Sequence, residues 1–223
     1  MFTNYEQYTG QVFIPQNECL ENVHFLESIF ATERQMLENI LGYCLYSELL
    51  ENLIFNVETG YSELKVNAPQ HIIDLVLGVV YDNVSDSIKS KCGCGCNYSK
   101  CDKKHWKGLL ELREFSYIKD DCGINNVITV SKKFSFLTYY CYADYITHNS
   151  VNFGNLGSND FNATNNNIKI SNALISFYNH VNGCNSGCDV SLYTYLSDNI
   201  DKFPKWEGNY ICSMQEVNIW GLK

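Results

Sequence analysis

Residues 91–106, KCGCGCNYSKCDKKHW, place Cys92, Cys94, Cys96 and Cys101 within ten positions, with His105 four residues further on. Four thiolates complete a tetrahedral structural zinc site, and three thiolates with His105 make the Cys3His variant. The intervening glycines allow the tight backbone that such close ligands need. Zinc signatures more often use two well-separated CxxC knuckles, so structural zinc, free thiols and disulfides all stay open on spacing alone. Cys184 and Cys188, spaced i, i+4 in GCNSGC, are candidates to join the first cluster, although Gly183 and Gly187 argue against a regular helix there. Cys19, Cys44, Cys122, Cys141 and Cys212 read as small core hydrophobes.

Other chemistry has less to stand on. Five histidines (His24, His71, His105, His148, His180) fall in no metalloprotease motif, and no nucleophile elbow, P-loop or dinucleotide fingerprint is present. A Cys141–His148 pairing and the Asp120–Asp121 pair carry no further support. The expectation is a protein that is not an enzyme.

The elements that must hold these residues are read mainly as helices. Leu20, Val23, Leu26, Phe30, Leu37 and Leu41 form one stripe after an Asn17 N-cap, ended by Gly42. A second helix follows with Tyr46, Leu49, Leu50, Leu53 and Ile54, and Gly60 breaks it. Pro69 opens a third, carrying Ile72, Ile73, Val76, Leu77 and Val80. A fourth is expected from Lys104 to Asp120, burying Trp106, Leu109, Leu110 and Tyr117. After a short strand at 127–130, a fifth runs from Lys133 to Tyr145. Ile168–Val181 and Asp189–Ile200 complete the set, with Pro204 as the stop.

The fold class is therefore mainly α: a bundle of six to seven helices, with short strands at most, and extended arms at both ends. Residues 1–18 form the N-terminal arm, 19–206 the helical domain and 207–223 the C-terminal tail. Two insertions interrupt the domain, the cysteine-rich 91–104 and the Asn/Gly-rich 147–167. The second is read as a docking loop because Phe153, Leu156 and Phe161 have no helix to sit on. Trp206, Val217, Ile219 and Trp220 of the closing segment are further interface candidates.

Composition sets bounds on partners. At 223 residues with 45% hydrophobic and 18% charged side chains, the chain is globular. A net charge of -9, with its one basic cluster at Lys100, Lys103, Lys104 and Lys107, argues against tight nucleic-acid binding. No secretory leader or bilayer-length apolar run is read, so the expectation is a soluble chain made in a cytoplasm, where cysteines favour thiols or metal over disulfides. Sixteen tyrosines supply the ring surface favoured at interfaces.

Three stretches resemble one family in order. LESIFATERQMLENILGYCLYSELLENL (26–53), with Ile40-Leu41-Gly42 followed by Leu45-Tyr46 and Leu49, resembles the opening helices of head-to-tail connector proteins (neck or adaptor rings) of tailed bacteriophages. HWKGLLELREFSYIKD (105–120) is similar to their aromatic helix. ISNALISFYNHVN with LYTYLSDNIDKFPKW (170–206) resembles the closing helices of relatives from crAss-like gut phages. About two-fifths of the chain is covered; the CGCGC segment is not part of the pattern. The resemblance implies a structural virion protein, assembled in the bacterial host cytoplasm. It implies a twelve-fold ring of this chain in the phage neck, touching the portal and adjacent neck or tail proteins, away from any membrane. DNA would pass through it without specific binding during packaging and ejection, past an acidic lumen. A zinc-binding regulatory or interaction module built on residues 92–105 is the alternative.

Overall fold

A computed structural model describes residues 1–14, 23–58, 60–82, 103–121, 124–153, 160–183, 188–208 and 211. Among them are six α-helices: α1 Val23–Leu41, α2 Tyr43–Glu51, α3 Gln70–Leu77, α4 Leu137–Phe153, α5 Asp160–Val181 and α6 Leu192–Asp198. Six strands form three antiparallel pairs: β1 Leu53–Asn56 with β2 Tyr61–Leu64, β3 Val79–Asp82 with β4 Lys103–Trp106, and β5 Glu111–Asp121 with β6 Ile124–Phe134. The class is mixed α and β, where a mainly helical bundle was expected.

The largest departure is at 104–120. Trp106, Leu109 and Leu110 are buried as expected, at 2%, 0% and 6% exposure, but on a strand and a turn. From Glu111 onward the backbone is β5, paired residue for residue with β6 from Glu111↔Phe134 to Asp121↔Ile124. The residue types explain it: Phe115, Tyr117 and Ile118 are paired in register with Val130, Ile128 and Val127, a β-prone set on both strands. The 127–130 strand is the middle of β6.

Helices α1 and α2 meet at Gly42, whose φ of 77° a side chain would resist. The buried residues of α1 are Phe25, Ile29, Glu33, Met36, Leu37, Ile40 and Leu41. Leu37 and Leu41 are buried as expected, whereas in the first half of the helix Phe25 and Ile29 take the inner face and Leu26 and Phe30 are half-buried, with Glu33 buried at the centre. The Glu33 carboxylate accepts the backbone N–H of Phe2 at 2.7 Å and of Thr3 at 2.9 Å. This anchors the N-terminal segment: Phe2, Thr3, Gln7, Tyr8, Val12 and Ile14 are all buried, so residues 1–14 pack into the body rather than extending as an arm. Leu53 and Ile54, expected on α2, begin β1 instead; Val80, expected on α3, lies on β3.

Two apolar clusters make the interior. One gathers α1, α2, α3, α6, Trp106, Phe136 and Phe177; the other lies between the N-terminal segment, α1, α4 and α5. Trp206, expected at an interface, is 6% exposed and stacks on Tyr193, so it belongs to the first cluster. Helices α4 and α5 reach into the expected docking loop from both sides: Phe153 closes α4, and Phe161 lies in the first turn of α5. Leu156, Val217, Ile219, Trp220 and the four cysteines 92, 94, 96 and 101 lie outside the described residues.

Candidate functional site

The flanks of the two cysteine-bearing stretches meet. β4 follows the first and residues 188–190 end the second, and His105 pairs with Asp189 in parallel. The His105 N–H donates to the Cys188 carbonyl at 2.8 Å, and the Val190 N–H donates to the His105 carbonyl at 2.9 Å. Cys188 is disulfide-bonded. Cys44 and Cys141 are free thiols. Cys188 thus supplies no thiolate to a metal while that bond is intact.

Beside this junction lies a cleft of about 190 Å³, floored by Trp106, Phe136 and Val190 and walled by Lys107, Glu111, His180 and Asp189. Its shape depends on two glycines. The turn after β4 lies against the C-terminus of α3, where the N–H groups of Leu109 and Leu110 cap the Leu75 and Val76 carbonyls at 3.1 and 2.9 Å. The Trp106 indole N–H reaches the same Leu75 carbonyl at 3.0 Å. Such close backbone contact needs glycine at 78 and 108, both at positive φ (87° and 91°).

The charges in the cleft are paired. The Lys107 ammonium is 2.8 Å from Asp189 Oδ2 and 4.0 Å from Glu111 Oε1; Arg113 Nε is 2.7 Å from Glu111 Oε2. His105 Nδ1 is 3.1 Å from Asp189 Oδ1. Burial alone would raise the Asp189 carboxyl, but Lys107 and His105 outweigh it and hold it below its ordinary value. Each of these groups is a quarter exposed or more, so each pair contributes on the order of 0.5–1 kcal/mol.

His180 is different. It stacks on Phe136 with ring centroids 5.7 Å apart, and its Nδ1 donates to the Ser176 carbonyl at 2.7 Å. Burial lowers its pKa below 6.5, the Ser176 carbonyl works against that shift, and Arg113 and Lys107 add to it. The unfolded chain therefore takes up the proton first as pH falls, so His180 erodes stability below pH 6.5 and has no such effect above it. The expected result is that the wild type loses stability between pH 7.5 and 5.5, by at most about 1.4 kcal/mol per pH unit below 6.5 from this group. His180→Phe, which keeps the ring stack, removes that part of the slope. Urea unfolding of both chains at the two pH values checks it.

Chemically, the arrangement ties β4, its following turn and residues 188–190 together. Cys141 is 1% exposed, its Sγ points to the Ile29 carbonyl at 3.8 Å, and burial pushes its thiol well up. His148 instead bonds Asp144, so the structure does not bring Cys141 and His148 together as a nucleophile and base. Asp120 and Asp121 lie at the end of β5, not at a helix terminus. Among the described residues no group of three or more His, Cys, Asp and Glu side chains is placed to hold a metal. Of the proposed zinc ligands, His105 and Cys188 are described, and Cys188 is held in a disulfide. The His105 Nδ1 contact to a carboxylate leaves Nε2 as the ligating nitrogen, the orientation zinc-bound histidines usually have. Asp189, Lys107, Glu111 and His180 were not legible as a group, since nothing in residues 105–111 points to 180–189.

The chain matches no protein-family model, no curated protein and no solved structure.

Proposed function

We propose that the chain is the repeating subunit of a ring in the neck of a tailed bacteriophage, between portal and tail, through which the genome passes. The observation that carries the reading is where the apolar surface lies. Two hairpins hold large exposed side chains: Ile54, Phe55 and Val57 at 57%, 47% and 83% on and beside β1–β2, whose other side (Leu53, Tyr61, Leu64) packs on the first cluster, and Leu112 and Val127 at 64% and 70% on β5–β6. Apolar side chains exposed on hairpins suit a subunit that completes its burial against neighbours. The described cleft, by contrast, is small, with its charges already paired. The resemblance of 26–53, 105–120 and 170–206 to connector proteins supports the same reading, and the net charge of -9 suits a conduit that must not retain phosphate. The proposed setting is the virion, with assembly in the host cytoplasm and the portal and adjacent neck or tail proteins as neighbours.

The His105–Asp189 contact favours a second reading, a zinc-binding module on Cys92, Cys94, Cys96, Cys101 and His105. Native mass spectrometry of the full chain over a range of concentrations separates the two. The ring reading expects a closed oligomer, twelve-fold by the resemblance. A monomer carrying one zinc at every concentration would overturn it in favour of the second.

A further inference from the structure

We propose that the β5–β6 ribbon is the element that closes the ring, the β6 edge of one copy pairing antiparallel with the β5 edge of the next. This rests on the ring reading and adds the surface, the partner and the register.

Among the described residues β5 and β6 pair only with each other, and of the ribbon positions whose side chains are described only Phe134 is buried. Eleven-residue strands make a ribbon about 37 Å long. An isolated two-stranded ribbon is marginal in water and leaves both outer edges open. Soluble proteins protect such edges with proline, bulges or central charges. Here residues 115–118 (FSYI) and 127–130 (VITV), paired from Phe115↔Val130 to Ile118↔Val127, contain no charge and no proline. The charges sit at the ends.

Their signs select the occupant. β5 carries Glu111, Glu114, Asp120 and Asp121 against Arg113 and Lys119, four negative and two positive, net -2. β6 carries only Lys132 and Lys133, net +2. The ribbon as a whole is neutral, which disfavours nucleic acid as the partner. Opposite edges of opposite sign favour a contact between unlike edges, the heterologous contact that rings require. A two-fold pairing of like edges would set two strands of the same sign together. Repeating the register found within the chain places Glu114 of one copy opposite Ser131 of the next, with Lys133 as its diagonal neighbour on the same face, while Lys132 falls opposite Arg113 with Glu111 diagonal to it.

The test uses two full-length variants altered at exposed positions. Lys132→Glu with Lys133→Glu turns the β6 edge negative; Glu114→Lys with Ser116→Lys turns the β5 edge positive. Circular dichroism and melting first establish that both fold as wild type does. Sedimentation and native mass spectrometry are expected to show a wild-type ring and at least tenfold weaker assembly of each variant alone. An equimolar mixture is expected to restore assembly to within threefold, in rings of equal numbers of the two chains. Rings from either variant at wild-type affinity, or no recovery on mixing, would overturn the proposal and leave the ring reading standing. A wild type that stops at a two-fold dimer would show like-edge pairing and overturn it too. A wild type that is monomeric at every concentration would overturn both.

Discussion

Alanine at Gly108 lowers the melting temperature by about 6–12 °C, corresponding to 3 kcal/mol or more in a chain of this size. A Cβ there would lie 2.5 Å from the Val76 carbonyl oxygen, 2.6 Å from the Gly78 nitrogen and 2.7 Å from the Leu77 carbonyl carbon. All three are backbone atoms, so no side-chain rotation relieves the contact. Forcing the turn off α3 would also uncap the Leu75 and Val76 carbonyls. Two costs add: roughly 1–2 kcal/mol for an L-residue at a φ of 91°, and roughly 1–3 kcal/mol for overpacking. Gly78→Ala is expected to behave alike, because its Cβ would meet the Trp106 oxygen at 2.5 Å. Gly10 is the control. Its φ is 64° with nothing within 4 Å of an added Cβ, so Gly10→Ala incurs the conformational cost alone. Thermal melts of the three variants measure the difference; a Gly108→Ala chain no less stable than Gly10→Ala would refute the close-contact account.

Asp198→Ala is the second large loss, about 3 kcal/mol. The Asp198 carboxylate accepts from Lys104 Nζ at 2.7 Å and from the Tyr81 hydroxyl at 2.8 Å, tying α6 to both strands of the β3–β4 pair. Lys104 and Asp198 are only 19% and 16% exposed, so this is a largely buried pair rather than a surface one. Removing the acid leaves an ammonium and a phenol without their acceptor, and the cost of those orphaned donors exceeds the value of the contacts themselves. The double variant Lys104→Met with Asp198→Ala is therefore expected to be more stable than Asp198→Ala alone. Urea titrations of the singles and the double give the coupling, and a double no better than the single would mean that the charge is not what is missed.

How far the sequence could be read depends on whether its signals were local. Gly42 between two apolar stripes marks the α1–α2 break correctly, because period and stop signal agree within a few residues. Pro69 likewise marks the start of α3. The 104–120 stretch misleads because Trp106, Leu109 and Leu110 fall at helical spacing, yet are buried by a turn that caps a different helix. The strand that follows is specified by its partner 124–134 as much as by itself. Glu33 illustrates a further limit: a carboxylate on a buried stripe looks like an interruption until the N–H groups of Phe2 and Thr3 are seen to satisfy it. Beside the cleft, His105 stands out through its neighbouring cysteines, whereas Asp189 becomes its partner only through a pairing that spans 84 residues.

That span has a consequence for biosynthesis. β4 is complete when residue 106 leaves the ribosome, but its outer edge has no partner until residues 188–190 follow. At about 5–20 residues per second, 84 further residues take roughly 4–17 s. For that interval the nascent chain exposes a strand edge beside a cysteine-rich segment, before the cysteine at 188 has been made. Closure there is a late event, and the disulfide at Cys188 belongs to the end of folding rather than to its nucleus.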